Sequence, residues 1–511
     1  MEKSGSQKLH IGIDFGTTNI SITGLIIDEV LKKRFPVRYG EEGVPFPSIL
    51  SIGRDDSGAL KVKFGRKVKS HIAEFEEKGE VIIKSLKTST ADEEREFQIF
   101  GKAFKPDAII GGLMKAIKKF IKEYREHPVE ITEATIAVPV DFSLYQRKML
   151  IGAFRKTGIK VNKIISESTA AYISNRKKVE SLSNVMVFDW GGGTLDISLL
   201  NIDKSLGRIN ELATAGWAVA GDRIDELIAE YLHQKMVTSG EYSEIQVSYK
   251  ELSPKDRIKI LTEAEKVKIN FSEEDNIDES QKVFMLDYCG EKRVRCDIDY
   301  ETFCELIKAV VGDATGLIKT VLDKAEMSIK MLGAIIMVGG STNLLPLREY
   351  LEEELAFRHQ IKIVYPEKVQ WSVSEGAAII DTLDCGYTLN QDISLVMSDG
   401  TPYPILKKGM QIPIEPHTVS FGTIDDAESA SFIFCDDKNN LLLRSSMNSK
   451  GYDGESYYVT ARVDNDLVAQ ITLDSRYRMA MTEPKNLEIR GLNFYYDISQ
   501  IDKCDYTEEL D

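Results

Sequence analysis

The chain has 511 residues, which at ~100–200 residues per domain predicts two to four domains, and its 42% hydrophobic content excludes wholesale disorder. A formal net charge of −16 repels phosphodiester backbones, so nucleic acid is excluded as a general partner. Six cysteines with no CxxC pair read as reduced thiols, the polar first residues do not resemble a secretory leader, and no apolar run reaches the ~20 residues of a membrane helix, so the expectation is a cytoplasmic protein with no membrane partner.

In chain order, "IGIDFGTTNISITGL" (Ile11–Leu25) predicts a hairpin: a strand ending near Asp14, a tight turn at Gly16-Thr17-Thr18, and a return strand with Ile20 and Ile22 on one face. Residues 46–125 read as a helix-rich insert. "ATIAVPV" (134–140) is strand-like, and the following amphipathic stretch is a helix closed by Gly158. "KVNKIISES" is again strand-like, followed by a helix start. "VFDWGGGTLDISLL" (Val187–Leu200) then repeats the first hairpin, with Asp189 before Gly191-Gly192-Gly193-Thr194 and Asp196 after them. An amphipathic helix carries Ile224, Leu227, Ile228, Tyr231 and Leu232 at helical spacing, and a second helix-rich insert spans 226–312. "IIMVGGSTNLLPLREYLEEEL" (Ile335–Leu355) predicts strand, glycine turn and helix. After about Tyr387, short β-rich runs at spacings of ~10 residues predict an antiparallel sandwich. The expected fold class is therefore α/β, a two-lobed domain over 1–387, followed by a linker at 388–396, a small antiparallel β-sandwich at 397–500 and a loose acidic tail at 501–511.

The repeated hairpin carries the chemistry. Turns rich in glycine and threonine present backbone N–H groups and hydroxyls with little bulk, which suits phosphate oxygens. No GK[ST] follows, so this is not a Walker loop. Two such turns from two related lobes can grip one polyphosphate. Asp14, Asp189 and Asp196 fit beside it if a hydrated Mg²⁺ lies between, because Mg²⁺ keeps its waters and takes few direct carboxylates. Gly339-Gly340-Ser341-Thr342 reads as a nucleoside-binding edge. In "EAEKVKINFS" (Glu263–Ser272), Glu265 and Lys268 are i and i+3 on one helix face, an acid and a base able to hydrogen-bond ribose and adenine.

In this order the motifs resemble the actin, hexokinase and heat-shock ATPase superfamily, and most closely the seventy-kilodalton heat-shock (DnaK-type) chaperones. The quoted segments "IGIDFGTTNI", "FDWGGGTLDIS", "ATIAVPVDFSLYQRKML", "IISESTAAYIS", "AGDRIDELIAEYL", "AEKVKINFS", "VGGSTN" and "SEGAAI" carry that resemblance over most of residues 10–385. It implies an actin-like ATPase fold with ATP/ADP and Mg²⁺ as cofactors. It implies that Asp14, Asp189 and Asp196 organise Mg²⁺ and water, that Thr17, Thr18 and Thr194 contact phosphate, and that Glu167 helps set the hydrolytic site. It gives Lys84 as the catalytic lysine, with Lys87 the less favoured choice. It adds Asn19, Gly221 and Asp222 to the nucleotide contacts, and Asn343 stands where the family has an arginine against the base. It also implies unfolded or extended polypeptide as partner, and J-domain and nucleotide-exchange co-chaperones. The final Glu508-Glu509-Leu510-Asp511 resembles a tail read by helical-repeat co-chaperones. The 388–396 linker lacks the family's run of leucines, and no stretch after the β domain suits a helical lid. A nucleotide-switched regulatory binding protein with little turnover is the alternative to an active chaperone.

Overall fold

The computed structural model describes residues 9–28, 33–124, 127–422, 429–448, 456–477, 480–481, 483–501 and 507–508. The chain divides into two compact units. The first takes the described residues within Met1–Ile202, Glu211–Thr382 and Cys504–Asp511, and the second those within Asp203–Asn210 and Leu383–Lys503.

The first unit holds two sheets built to one plan. In one, Leu9–Phe15 pairs antiparallel with Asn19–Asp28 and parallel with Glu133–Val138, which pairs parallel with Lys160–Ser166. In the other, Asn184–Trp190 pairs antiparallel with Leu195–Asp203 and parallel with Ala334–Val338, which pairs parallel with Lys362–Val364. The repeated sequence is thus a repeated topology. Near-continuous apolar runs in the central strands follow from burial on both faces. Ile11, Ile13, Ile136 and Phe154 belong to the first core, and Phe188, Ile197, Met337 and Ile224 to the second.

Local signals explain the flanking helices. Ser143 caps helix Leu144–Lys156 in a capping box with Gln146, and Gly158 follows it at φ 75°. Ser166 caps helix Glu167–Asn175, accepting from the Thr169 N–H at 3.1 Å. Gly221–Ser239 forms the amphipathic helix, burying Ile224, Ile228 and Leu232.

The first insert departs from its helix-rich expectation. It contains a three-stranded sheet of Leu60–Phe64, Ile49–Arg54 and Val81–Lys84, and a hairpin of Phe97–Ile99 with Lys102–Phe104, beside helix Pro106–Lys122. Short β-branched runs such as "SILSIG" and "EVIIK" lack a helical period, and cross-strand pairing decides them. The second insert combines helices Pro254–Asn270 and Tyr300–Lys324 with the hairpin Gln281–Tyr288 and Glu291–Ile298.

In the second unit, two antiparallel sheets contribute to one core cluster that includes Ile393, Phe434, Val459, Ile471 and Ile489. One sheet orders Pro402–Leu406, Ile393–Val396, Ser429–Cys435 and Leu441–Asn448. The other contains Ile414–Gly422, Ser456–Val463, Ala469–Tyr477 and Lys485–Ile489. The segment 388–396, expected as a linker, is folded here: Gly386–Leu389 and Ile393–Val396 are strands, and Leu389, Ile393 and Leu395 are buried in this core. Its apolar residues recur at strand spacing, so they bury rather than bridge. Within the tail, Thr507–Glu508 pairs parallel with Lys33–Arg34 and is therefore held on a strand rather than loose. Glu509, Leu510 and Asp511, on which the co-chaperone resemblance rests, lie outside the described residues.

Candidate functional site

The two hairpins place their acids at matching ladder positions. Asp14 lies opposite Ser21 and beside Ala137, and Asp189 lies opposite Asp196 and beside Val338. The turns face each other. A Cβ built on Gly192 would stand 2.6 Å from Thr18 Oγ1, and one on Gly193 2.8 Å from Thr17 Cγ2. Only a residue without a side chain allows this approach. The glycine turn is fixed by hydrogen bonds: Gly191 N–H donates to Thr194 O at 3.0 Å, and Ser341 Oγ and the Gly221 N–H donate to Gly191 O at 2.7 and 3.2 Å. Asp222 N–H donates to Gly192 O at 2.7 Å, tying the turn to the start of the following helix.

Between the turns lies a cavity of about 360 Å³. Its lining includes Asp14, Gly16, Thr17, Thr18, Asn19, Glu167, Asp189, the 191–194 turn, Asp196, Asp222, Glu265, Lys268, Gly339, Gly340, Ser341 and Asn343. The structure therefore brings together every proposed site residue except Lys84 and Gly221, and Gly221 lies directly behind the wall, where a Cβ would meet Ser341 Oγ at 2.7 Å.

Lys84 stands apart from the acids. The lysine in the carboxylate cluster is Lys87, whose Nζ lies 2.6 Å from Glu167 Oε1, with both side chains buried. Lys84 ends strand Val81–Lys84 and is exposed toward a neighbouring cavity. Ser85, at φ 51°, starts the short turn of helix Leu86–Ser89, which swings Leu86 and Lys87 inward. A three-residue shift within one turn is invisible to a motif match between two nearby lysines.

The electrostatics are those of a crowded acid cluster. Burial raises the carboxyls of Asp14 and Asp189, and neighbouring acids raise Asp189 further. Burial pushes Glu167 up to about 7 and Asp196 up to about 6, each partly opposed by Lys87. Burial disfavours the Lys87 charge, but Glu167, Asp14 and Asp196 outweigh it and hold the ammonium above the ordinary lysine range. Among the described residues, no three His, Cys, Asp or Glu side chains form a ready-made metal cage.

A model of the family described as Hsp70 protein matches residues 58–473. The chain belongs to the Hsp70 family.

Among curated Hsp70-family proteins, the chain is 27% identical over 439 residues to the chaperone protein DnaK of Thermoplasma acidophilum, covering 82% of this chain and 66% of that one. It is 28% identical to the chaperone protein DnaK of Thermoplasma volcanium with the same coverage, and 27% identical over 441 residues to that of Mycoplasma mobile, covering 82% of this chain and 67% of the relative. The chain thus spans 66% of the length of the two Thermoplasma relatives. No helix among the described residues is long and apolar enough to cross a membrane, which does not bear on a β-barrel.

Several side chains that line this cavity already have partners within the chain. Lys268 Nζ lies 2.8 Å from Asp225 Oδ2 and donates to Gly221 O at 3.2 Å. Glu265 Oε1 lies 2.7 Å from Lys69 Nζ. Sequence reasoning missed Lys87's place, Gln370 on the cavity wall, and Arg348. Arg348 reaches back from helix Leu345–Leu351 to donate to Asn343 Oδ1 at 2.7 Å, and its guanidinium sits 4.5 Å over the Tyr365 ring. Arg348, five positions beyond Asn343, thus braces the Asn343 side chain.

Proposed function

We propose that this Hsp70-family chain binds Mg-ATP between its hairpin turns and hydrolyses it slowly, as a chaperone whose β-rich second unit, a sandwich in this reading, takes unfolded or extended polypeptide. The observation that carries this reading is the facing of Thr17 and Thr18 against Gly192 and Gly193 over a cavity that also holds Lys87, Glu167, Asp14, Asp189 and Asp196. Turn amides and threonine hydroxyls suit the phosphates, and the Gly339–Asn343 turn suits the nucleoside.

The donor chemistry fits Mg²⁺. Asp14, Asp189 and Asp196 supply hard oxygens, and their mutual repulsion in a buried setting is relieved by a divalent cation. Bound there, Mg²⁺ would supply withdrawal of charge from phosphoryl oxygens. Asp14, Asp189 and Asp196 would hold its water shell and orient the attacking water. Lys87 would place a fixed positive charge beside the transferring phosphoryl, and Glu167 would hold Lys87 in position. Positioning and electrostatics carry such chemistry, so turnover is expected to be slow.

Single-turnover hydrolysis of radiolabelled ATP tests the reading, with Lys87→Ala expected to abolish it. A Lys87→Ala protein that hydrolyses like the parent would sink the assignment. A second reading, a nucleotide-switched regulatory protein with little turnover, draws support from Lys268, Glu265 and Ser341 being engaged by protein partners and from Asn343 at the base. Tight ATP binding without turnover favours it. For the second unit, an ATP-dependent change in the off-rate of a fluorescent extended peptide supports the chaperone reading, and no peptide binding contradicts it. In this reading the regulators are J-domain and nucleotide-exchange co-chaperones acting in the cytoplasm.

A further inference from the structure

Helix Glu167–Asn175 carries the acid that pairs with Lys87, and its first turn is gripped from a distant strand. The hydroxyls of Ser166, Ser168 and Thr169, all buried, donate to one atom, Oε1 of Glu211, with Ser168 at 2.9 Å and Thr169 at 3.0 Å. Ser166 Oγ also accepts from the Thr169 N–H at 3.1 Å, so one hydroxyl caps the helix and donates to the carboxylate. Glu211 lies on strand Arg208–Trp217, whose part from Glu211 onward belongs to the first unit.

That strand neighbours Leu195–Asp203, the strand of Asp196, in the second sheet. Further along it, Thr214, Ala215 and Gly216 wall a cavity of about 30 Å³ whose lining also includes Glu167, Ser168, Asp189 and Asp196. A Cβ on Gly216 would stand 3.1 Å from Asp196 Oδ1. The strand that carries Glu211 therefore runs against the acid cluster itself. Ser166, by contrast, ends the strand Lys160–Ser166 of the first sheet. Glu211 joins the two sheets at the turn that bears Glu167.

The turn is divided between two partners. Glu167, the first helical residue, reaches Lys87 Nζ at 2.6 Å, while the residues on either side of it reach Glu211. A charged acceptor strengthens each hydroxyl bond, and the positive end of the helix favours a carboxylate there. With Ser166, Ser168 and Thr169 held, the backbone that carries Glu167 has little freedom left.

We propose that Glu211 is a positioning residue for the hydrolytic site: by holding Ser166, Ser168 and Thr169 it sets the direction of Glu167 and, through Glu167, the place of Lys87 Nζ. Its effect on rate rests on the ATPase reading, whereas its effect on Lys87 is present without nucleotide.

Three full-length variants test this role. Glu211→Met removes the acceptor at similar volume. Glu211→Gln keeps an acceptor oxygen. Ser168→Ala combined with Thr169→Val removes two donors and leaves the carboxylate in place. Competitive acetylation with acetic anhydride, read by mass spectrometry on nucleotide-free protein, compares buried Lys87 with exposed Lys84 as internal reference. Expected is a rise of at least ~5-fold in the Lys87-to-Lys84 ratio in Glu211→Met and in the double variant, and less than ~2-fold in Glu211→Gln. Lys268, paired with Asp225, reports general loosening and should keep its protection. Single-turnover hydrolysis should fall at least ~10-fold in the same two variants and largely return in Glu211→Gln, with Mg-ADP affinity within ~3-fold of the parent throughout. An unchanged Lys87 ratio, a rise shared by Lys268, or a loss of ADP affinity as large as the loss of rate would overturn the proposal. A parent protein without hydrolysis whose Lys87 ratio still responds counts against the ATPase reading alone. An active parent whose rate and Lys87 ratio ignore all three variants counts against this role alone.

Discussion

The two hairpins share a register but not a job. In the first, Asp14 faces Ser21 across the ladder, and the turn projects the side chains of Thr17 and Thr18. In the second, Asp189 faces Asp196, and the turn projects almost nothing, because Gly191, Gly192 and Gly193 leave only backbone. The halves are complementary rather than identical: side chains from one turn occupy space left by the other. The second hairpin also doubles the acid: burial is the main cause of the raised Asp189 and Asp196 carboxyls, and Asp196 adds to the rise at Asp189. The repeated topology supplies the frame, and the difference between the turns supplies their fit.

The largest expected effect tests which lysine serves both hairpins. Lys87→Ala should lower single-turnover hydrolysis at least ~100-fold, the scale of losing a key electrostatic group. Lys84→Ala should lower it less than ~5-fold, since Lys84 lines the neighbouring cavity. The reverse ranking would restore Lys84 to the chemistry. Next comes the fit between the turns. Gly192→Ala places a Cβ 2.6 Å from Thr18 Oγ1 and should weaken Mg-ADP binding by ~10–100-fold, and Thr18→Ala in the same chain should recover part of the loss. Calorimetry of the two single variants and the double variant reads the coupling, and strict additivity would mean the turns do not meet.

A third test makes the second hairpin like the first. Asp196→Ser copies the Ser21 position and should weaken Mg²⁺-dependent ADP binding by ~10-fold. It should also lower the Asp189 pKa, because Asp196 is one of the acids that raise it. A Mg²⁺ titration of ADP binding with an unchanged midpoint would contradict this. The smallest effect is the pH dependence. Glu167 sits at about 7 in the fold against 4.5 for an unperturbed glutamate, so the ligand-free fold retains a proton that the unfolded chain releases. Its stabilising contribution is full below about pH 4.5 and is lost as pH rises through about 7. Asp196 acts the same way up to about 6. A ligand that requires these carboxylates ionised binds more tightly in the opposite direction. Mg-ADP affinity should therefore rise between about pH 6 and 8, by at most ~10-fold per unit for each proton released. Affinity flat across that range would place these carboxylates outside the binding equilibrium.

Much of the site was legible because it is local. A strand, an acid, a glycine turn and a return strand lie within fifteen residues, and their order fixes the Asp14 and Asp189 positions. Gly158 likewise marked the end of its helix from the sequence alone. The amphipathic period of 221–239 identified its own buried face.

What the sequence could not express is where a side chain points after a turn, or which distant segment pairs with which. Lys84 and Lys87 are three residues apart in a lysine-rich stretch, and only the left-handed Ser85 and the helical turn behind it decide that Lys87 goes inward. The strands of the first insert depend on partners across the sheet, so no local period revealed them. The same holds for segment 388–396, whose apolar residues are fixed by a core they share with strands up to 100 residues away. The sequence by itself thus determined that two like hairpins exist and which acids they carry. Tertiary structure decided which cation joins those acids and how closely the turns approach, because direction and distance between segments are settled by packing rather than by order along the chain.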